Sequence, residues 1–148
     1  MNHERRARDL SVDRDGSAVP VILVAAAVVE RDGRFLITRR LDGTHLAGSW
    51  EFPGGKCEAG EDPPACLMRE MREELDADVL VREEILRTLH SYADRSVELR
   101  FFRCLLNGTT TPLLGQEVRW AGREELRTLP FPPADSELIE LLSTRPEA

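Results

Sequence analysis

The stretch Gly55-Lys-Cys-Glu-Ala-Gly-Glu-Asp-Pro-Pro-Ala-Cys-Leu-Met-Arg-Glu-Met-Arg-Glu-Glu-Leu-Asp-Ala77 decides how this chain is read. Glu61 follows Gly55 by six positions, Arg69-Glu70 comes eight later, and Glu73-Glu74 closes the series. Pro63 suits the first turn of a helix, where its missing N–H leaves nothing unsatisfied, and Glu61 or Asp62 sits at the cap. The residues from there to Leu75 are mostly good helix formers. At about 100° per residue, Leu67, Met68, Met71 and Leu75 share one stripe, expected to face the core. Glu70, Glu73 and Glu74 share a second arc. They are helical neighbours, so their charges repel. Arg69 borders that arc and is placed to pair with Glu73, four residues on.

Two readings of the arc are open from these residues. A Glu/Arg-rich helix face is commonly just solvated. Clustered carboxylates behind a glycine loop also hold hard divalent cations, through which enzymes handle phosphate chains. Gly55 and Glu61, at fixed distances upstream, favour the cation site.

The stretch resembles the Nudix box, Gly-x5-Glu-x7-Arg-Glu-U-x-Glu-Glu-x-Gly-U, in which U is a bulky aliphatic. Gly55, Glu61, Arg69, Glu70, Met71, Glu73 and Glu74 match. Asp76 replaces the last glycine and Ala77 shortens the final aliphatic. Asp tolerates the left-handed conformation expected at the helix end better than most residues, and the change removes no ligand. The resemblance implies that Glu70, Glu73 and Glu74 bind Mg²⁺ or Mn²⁺ with the Gly54 carbonyl. It makes Glu61 a supporting acid and Arg69 the residue that orients the glutamates. A further acid outside the box is expected, and Glu117 is the candidate, with an exposed strand acid as its other reading.

At 148 residues, 41% hydrophobic and 32% charged, the chain fits a soluble protein with a single core. Residues 1–17, polar and of mixed charge, read as a mobile tail, and 18–148 as one domain. No apolar run has the length of a membrane span, and no N-terminal segment has a secretory layout. The net charge of −7 argues against a nucleic-acid polymer as partner. Three cysteines, an odd number, argue against a disulfide framework. Cys66, on the acidic arc, reads as a structural thiol, and the cytoplasm is the expected compartment.

Val21–Glu30 is a near-continuous apolar run, as in a buried strand. Arg31-Asp32-Gly33 is a turn and 34–40 the returning strand. Residues 41–49 form a loop, and Trp50-Glu-Phe-Pro-Gly-Gly-Lys56 leads into the box. Strands are expected over 79–89, 97–106 and 117–121, one helical turn over 123–127 and a helix over 136–143, capped by Asp135 or Ser136. This is an α+β arrangement, and the Nudix resemblance implies a mixed sheet between helices.

The segments 35–40, 50–56 and 131–135 extend the resemblance to the MutT branch of the family. That branch converts (deoxy)nucleoside triphosphates to monophosphate and pyrophosphate. It implies nucleotide contacts from Arg40, Phe52 and Asp135. Where MutT carries an asparagine, ionised Asp135 only accepts hydrogen bonds, which suits the exocyclic amine of cytosine or guanine. A helix cap is the other reading of Asp135. The expected task is removal of 8-oxo-dGTP or a modified cytidine triphosphate by a monomer or homodimer. Hydrolysis of ADP-ribose or another nucleotide sugar is the alternative, though no clear extra N-terminal strand of the kind common there is visible. A non-enzymatic nucleotide sensor is disfavoured by the intact box.

Overall fold

The computed structural model describes residues 10–12, 18–44 and 46–144. In chain order the elements are β1 (Leu10–Val12), β2 (Ala18–Arg31), β3 (Arg34–Arg39), β4 (Trp50–Glu51), β5 (Gly54–Lys56) and α1 (Pro63–Leu75). There follow β6 (Asp78–Ser91), β7 (Ser96–Asn107), β8 (Val118–Gly122), α2 (Arg123–Leu126), a 3₁₀ turn (Pro133–Asp135) and α3 (Ser136–Thr144).

The apolar run becomes the central strand of a mixed sheet because both of its faces are covered. β2 runs parallel to β7, from Val21 opposite Ser96 to Val29 opposite Cys104. Ala25, Ala27 and Val29 point to a core shared with Leu67, Met71 and Leu75 of α1. Ala26 and Val28 point to the opposite core, with Phe35, Phe52, Phe101, Leu126, Leu138 and Leu142. Alternation along one strand thus feeds two layers, α1 on one face and α2–α3 on the other. Burying an α1 side chain such as Leu67 contributes roughly 1.5–3 kcal/mol.

β2 also pairs antiparallel with β5, Ala26 opposite Gly54 and Ala25 opposite Gly55. A Cβ on Gly54 would overlap the Ala25 carbonyl, so only glycine admits this approach. The remaining strands extend the sheet outward: β3 carries β4 and β8, and β6 forms a long hairpin with β7.

Most expected elements appear within a few residues of their positions, and the differences have physical causes. Leu10–Val12, placed in the tail, instead pairs antiparallel with Ala18–Pro20 and supplies an additional N-terminal strand. The rest of that tail lies outside the described residues. β4 and β5 arise in a segment too short and glycine-rich to read as strands alone; their ladders come from β3 and β2. Met68, assigned to the core stripe, is 37% exposed, and Cys66 is buried in its stead. Among the described residues, no helix is long and apolar enough to cross a membrane.

α1 begins at Pro63 after Asp62, although no side-chain cap bond forms. It ends at Asp76, left-handed at φ 48° and ψ 39°. There the Asp76 N–H donates to the Arg72 carbonyl and the Ala77 N–H to that of Met71, so aspartate does the work of the box glycine.

Candidate active site

β5, the 57–62 loop and α1 converge on one acidic centre. Arg69 is its hub. Its Nε donates to Glu61 Oε2 at 2.7 Å and its Nη2 to Glu61 Oε1 at 2.9 Å. Its Nη1 donates to Glu70 and to Glu73, both at 3.1 Å, the second being the expected i,i+4 pair. The Glu61 carboxylate also accepts from the Glu58 N–H at 2.9 Å, which ties the loop into the fan. These bonds to Arg69 lower the Glu61 pKa, and Glu61 in turn raises that of Arg69.

Glu70 lies over β5, where a Cβ on Gly55 would overlap its carboxylate. That explains the second glycine of the pair: it makes room for an acid. Glu74 lies one turn further along α1. Burial first, and then the Glu70 charge, push its pKa well above the ordinary carboxylate range, with smaller contributions from Glu51 and Glu73. The helix end bearing Glu74 is braced from outside. Gln116 Nε2 donates to the Glu74 carbonyl at 3.1 Å, and the Leu113 N–H to the same oxygen at 3.0 Å.

Beside the acids opens a cleft of about 420 Å³, lined by Gly54, Gly55 and Glu74 and also by Asp135. Arg40 Nη1 donates to Glu51 at 2.7 Å on its wall. Burial raises the Glu51 pKa, and Arg40 partly offsets this. Phe52 borders the cleft with its ring stacked on Phe131 (centroids 5.5 Å apart) and edge-on to Phe101 (6.2 Å). Asp135 is 6% exposed. Burial and then the Glu51 charge push its pKa up to about 7, against the pull of Arg40. No capping bond to the Asp135 carboxylate forms among the described residues, so the cap reading of Asp135 lacks its hydrogen bond.

The structure therefore gathers Gly54, Glu61, Arg69, Glu70, Glu73 and Glu74 in one centre and Arg40, Phe52 and Asp135 around the adjoining cleft. Glu117 is a correction. Its exposed side chain pairs with Arg39 at 3.4 Å, whereas its neighbour Gln116 is buried. Glu51, to which the sequence assigned no role, lines the cleft with Glu74 and adds to the charge around it. The cysteines are a second correction. Cys57 and Cys66 form a disulfide with Cα atoms 5.3 Å apart, leaving Cys104 as the buried free thiol.

The donor set suits a hard divalent cation: carboxylate oxygens of α1 facing the backbone of β5, where burial and then the neighbouring acids raise the Glu74 pKa. The NUDIX domain family model matches residues 24–141, and the chain belongs to that family of hydrolases, which act on phosphoanhydride bonds with divalent metal. Among named relatives, the CTP pyrophosphohydrolase of Escherichia coli is 36% identical over 121 residues, covering 81% of this chain and 90% of its own. The 8-oxo-dGTP diphosphatase of Haemophilus influenzae is 37% identical over 126 residues, covering 82% and 91%. The solution structure of the E. coli ORF135 protein superposes with a TM-score of 0.76 at 34% identity, over 88% of this chain and 96% of that one. The MutT protein of Methanosarcina mazei shares the fold at a TM-score of 0.75 and 21% identity, over 84% and 94%.

Proposed function

We propose that this protein hydrolyses a (deoxy)nucleoside triphosphate to the monophosphate and pyrophosphate, using Mg²⁺ or Mn²⁺ held by Glu70, Glu73, Glu74 and the Gly54 carbonyl. The observation that carries this is the juxtaposition of the acidic centre with a cleft of about 420 Å³ that a buried carboxylate, Asp135, also lines. The cation, when bound, neutralises the phosphate chain and acidifies a water. The protein's own residues do the rest. Arg69 holds Glu70 and Glu73 in register and anchors them to Glu61. Glu74, whose burial and acidic neighbours raise its proton affinity, is suited to accept a proton as the attacking water loses one. Glu51 takes the part of the further acid in place of Glu117, with Arg40 fixing its position.

In this cleft Asp135 reads the base. Ionised, its carboxylate accepts from the exocyclic amine of cytosine or guanine; protonated, it also donates. The two curated relatives are named for CTP and 8-oxo-dGTP, both bearing such an amine. We take the biological substrate class to be a modified guanine or cytosine triphosphate, in keeping with nucleotide-pool sanitation. The test is pyrophosphate release with Mg²⁺ across canonical, oxidised and methylated triphosphates, with ADP-ribose alongside. Preference for 8-oxo-dGTP or a modified cytidine triphosphate is expected; preference for ADP-ribose would overturn the reading.

A further inference from the structure

The Cys57–Cys66 bond crosses the acidic centre's own support. Cys57 directly follows β5, and its N–H donates to the Leu23 carbonyl of β2 at 2.8 Å. Cys66 sits in the first turns of α1, fully buried, its Sγ 3.9 Å from the Gly55 carbonyl oxygen. Both Sγ atoms and a Glu61 carboxylate oxygen lie within 4.8 Å of one another. The bond thus closes the loop that carries Glu61, and Glu61 is what Arg69 grips while it positions Glu70 and Glu73. Two thiols cannot remain at bonding distance, so reduction drives the sulfurs apart and removes the covalent tie between the loop and the helix.

We propose that the Cys57–Cys66 pair is a redox switch for this centre: the disulfide holds the Glu61–Arg69 support and the α1 glutamates in working register, and the dithiol releases them. The proposal rests on the reading that those glutamates hold the metal. Sites of this kind tolerate about 0.5 Å of misplacement, and about 1 Å costs on the order of a hundredfold.

A route for small oxidants exists. A cavity of about 590 Å³ between Pro20–Leu23 and the 56–62 loop is lined in part by Cys57. The Cys57 thiolate attacks a peroxide, so that an S–O bond forms and the O–O bond breaks, and the leaving hydroxide takes up a proton to become water. Cys66 sulfur then attacks the Cys57 sulfenic acid. The S–S bond forms, the S–O bond breaks, and a second water leaves with the Cys66 proton. Two thiols and one peroxide give one disulfide and two waters. A small dithiol reverses the change through a mixed disulfide.

The test compares one preparation treated with hydrogen peroxide and then with dithiothreitol, each reagent being removed before assay. Thiols counted in denaturant should rise from one, Cys104, to three. On reduction, kcat for triphosphate hydrolysis should fall at least about tenfold with KM nearly unchanged, Mn²⁺ affinity should weaken, and peroxide should restore both. Cys66→Ala should stay at the reduced level whatever the treatment. Equal kcat and equal Mn²⁺ affinity in two states that differ by two thiols would overturn the switch and leave the hydrolase reading intact. Three thiols after peroxide would also overturn it. If no triphosphate is cleaved in either state while Mn²⁺ affinity still follows the bond, the switch stands and the substrate reading falls.

Discussion

Arg69 and Glu61 meet fork to fork across eight residues of sequence, with N–O distances of 2.7 and 2.9 Å. Arg69 uses its remaining nitrogen to hold Glu70 and Glu73, so the loop, the helix and two candidate ligands share one guanidinium.

Lysine keeps the charge of arginine but not its planar fork. Arg69→Lys should therefore lower kcat by about 10–100-fold, the usual loss when a group supporting metal ligands is changed. Glu61→Gln should do the same, and the double variant should lose little more, because both changes break one bond pair. Steady-state kinetics of the four proteins with Mg²⁺ check this; additive losses would show that the two residues act separately.

For Glu74 the expected signs of activity and stability are opposite. Glu74→Gln should cut turnover at least about a hundredfold, as for loss of a ligand or base. In EDTA the same variant should melt higher than the wild type near pH 8, because a neutral amide replaces a carboxylate that its surroundings resist ionising. Its Tm should no longer rise on adding Mg²⁺. Calorimetry with and without metal reads both effects.

Asp135 sets a pH dependence. Its folded pKa, about 7, is above its ordinary value of 3.8, so the folded state binds the proton more tightly than the unfolded chain. Its contribution to stability is then fully present below about pH 4 and is lost as pH rises through 7. Glu74 acts in the same direction. Urea unfolding in EDTA should show stability falling from pH 5 to pH 8, and Asp135→Asn should flatten part of that slope. A rise over the same range would contradict the assignment.

The same residue governs base choice. Asp135→Ala should weaken cytosine or guanine nucleotides by about ten- to a hundredfold, a charged hydrogen bond being worth roughly 1.5–3 kcal/mol. Uracil and thymine nucleotides, which lack the amine, should be unaffected. The readout is the ratio of kcat/KM for dCTP-type to dUTP-type substrates. With no cap bond to lose, the Tm in EDTA should hold or rise; an unchanged ratio with a lowered Tm would make Asp135 structural.

Gly55→Ala places a methyl group where the Glu70 carboxylate lies. Glu70 must swing away, so kcat should drop by about tenfold or more while the circular dichroism spectrum stays native. Full activity would mean that the Glu70 position is irrelevant to turnover.

The sequence by itself determined the acidic helix face, because i, i+3 and i+4 spacing puts Glu70, Glu73 and Glu74 on one arc whatever packs behind them. It also determined the central strand, since an unbroken apolar run demands cover on both faces, and the left-handed helix end at Asp76. Other features were decided only by tertiary contact. β5 is a strand because β2 offers it a ladder, and β1 for the same reason. Glu51 and Gln116 line a hollow beside Glu74 while Glu117 pairs with Arg39, and which side chains meet there is invisible until the strands are paired. Cys57 and Cys66 are nine residues apart in sequence, and an odd cysteine count gave no sign that they meet. Periodicity is a property of the chain alone. Pairing and proximity depend on what the rest of the chain brings to the same place.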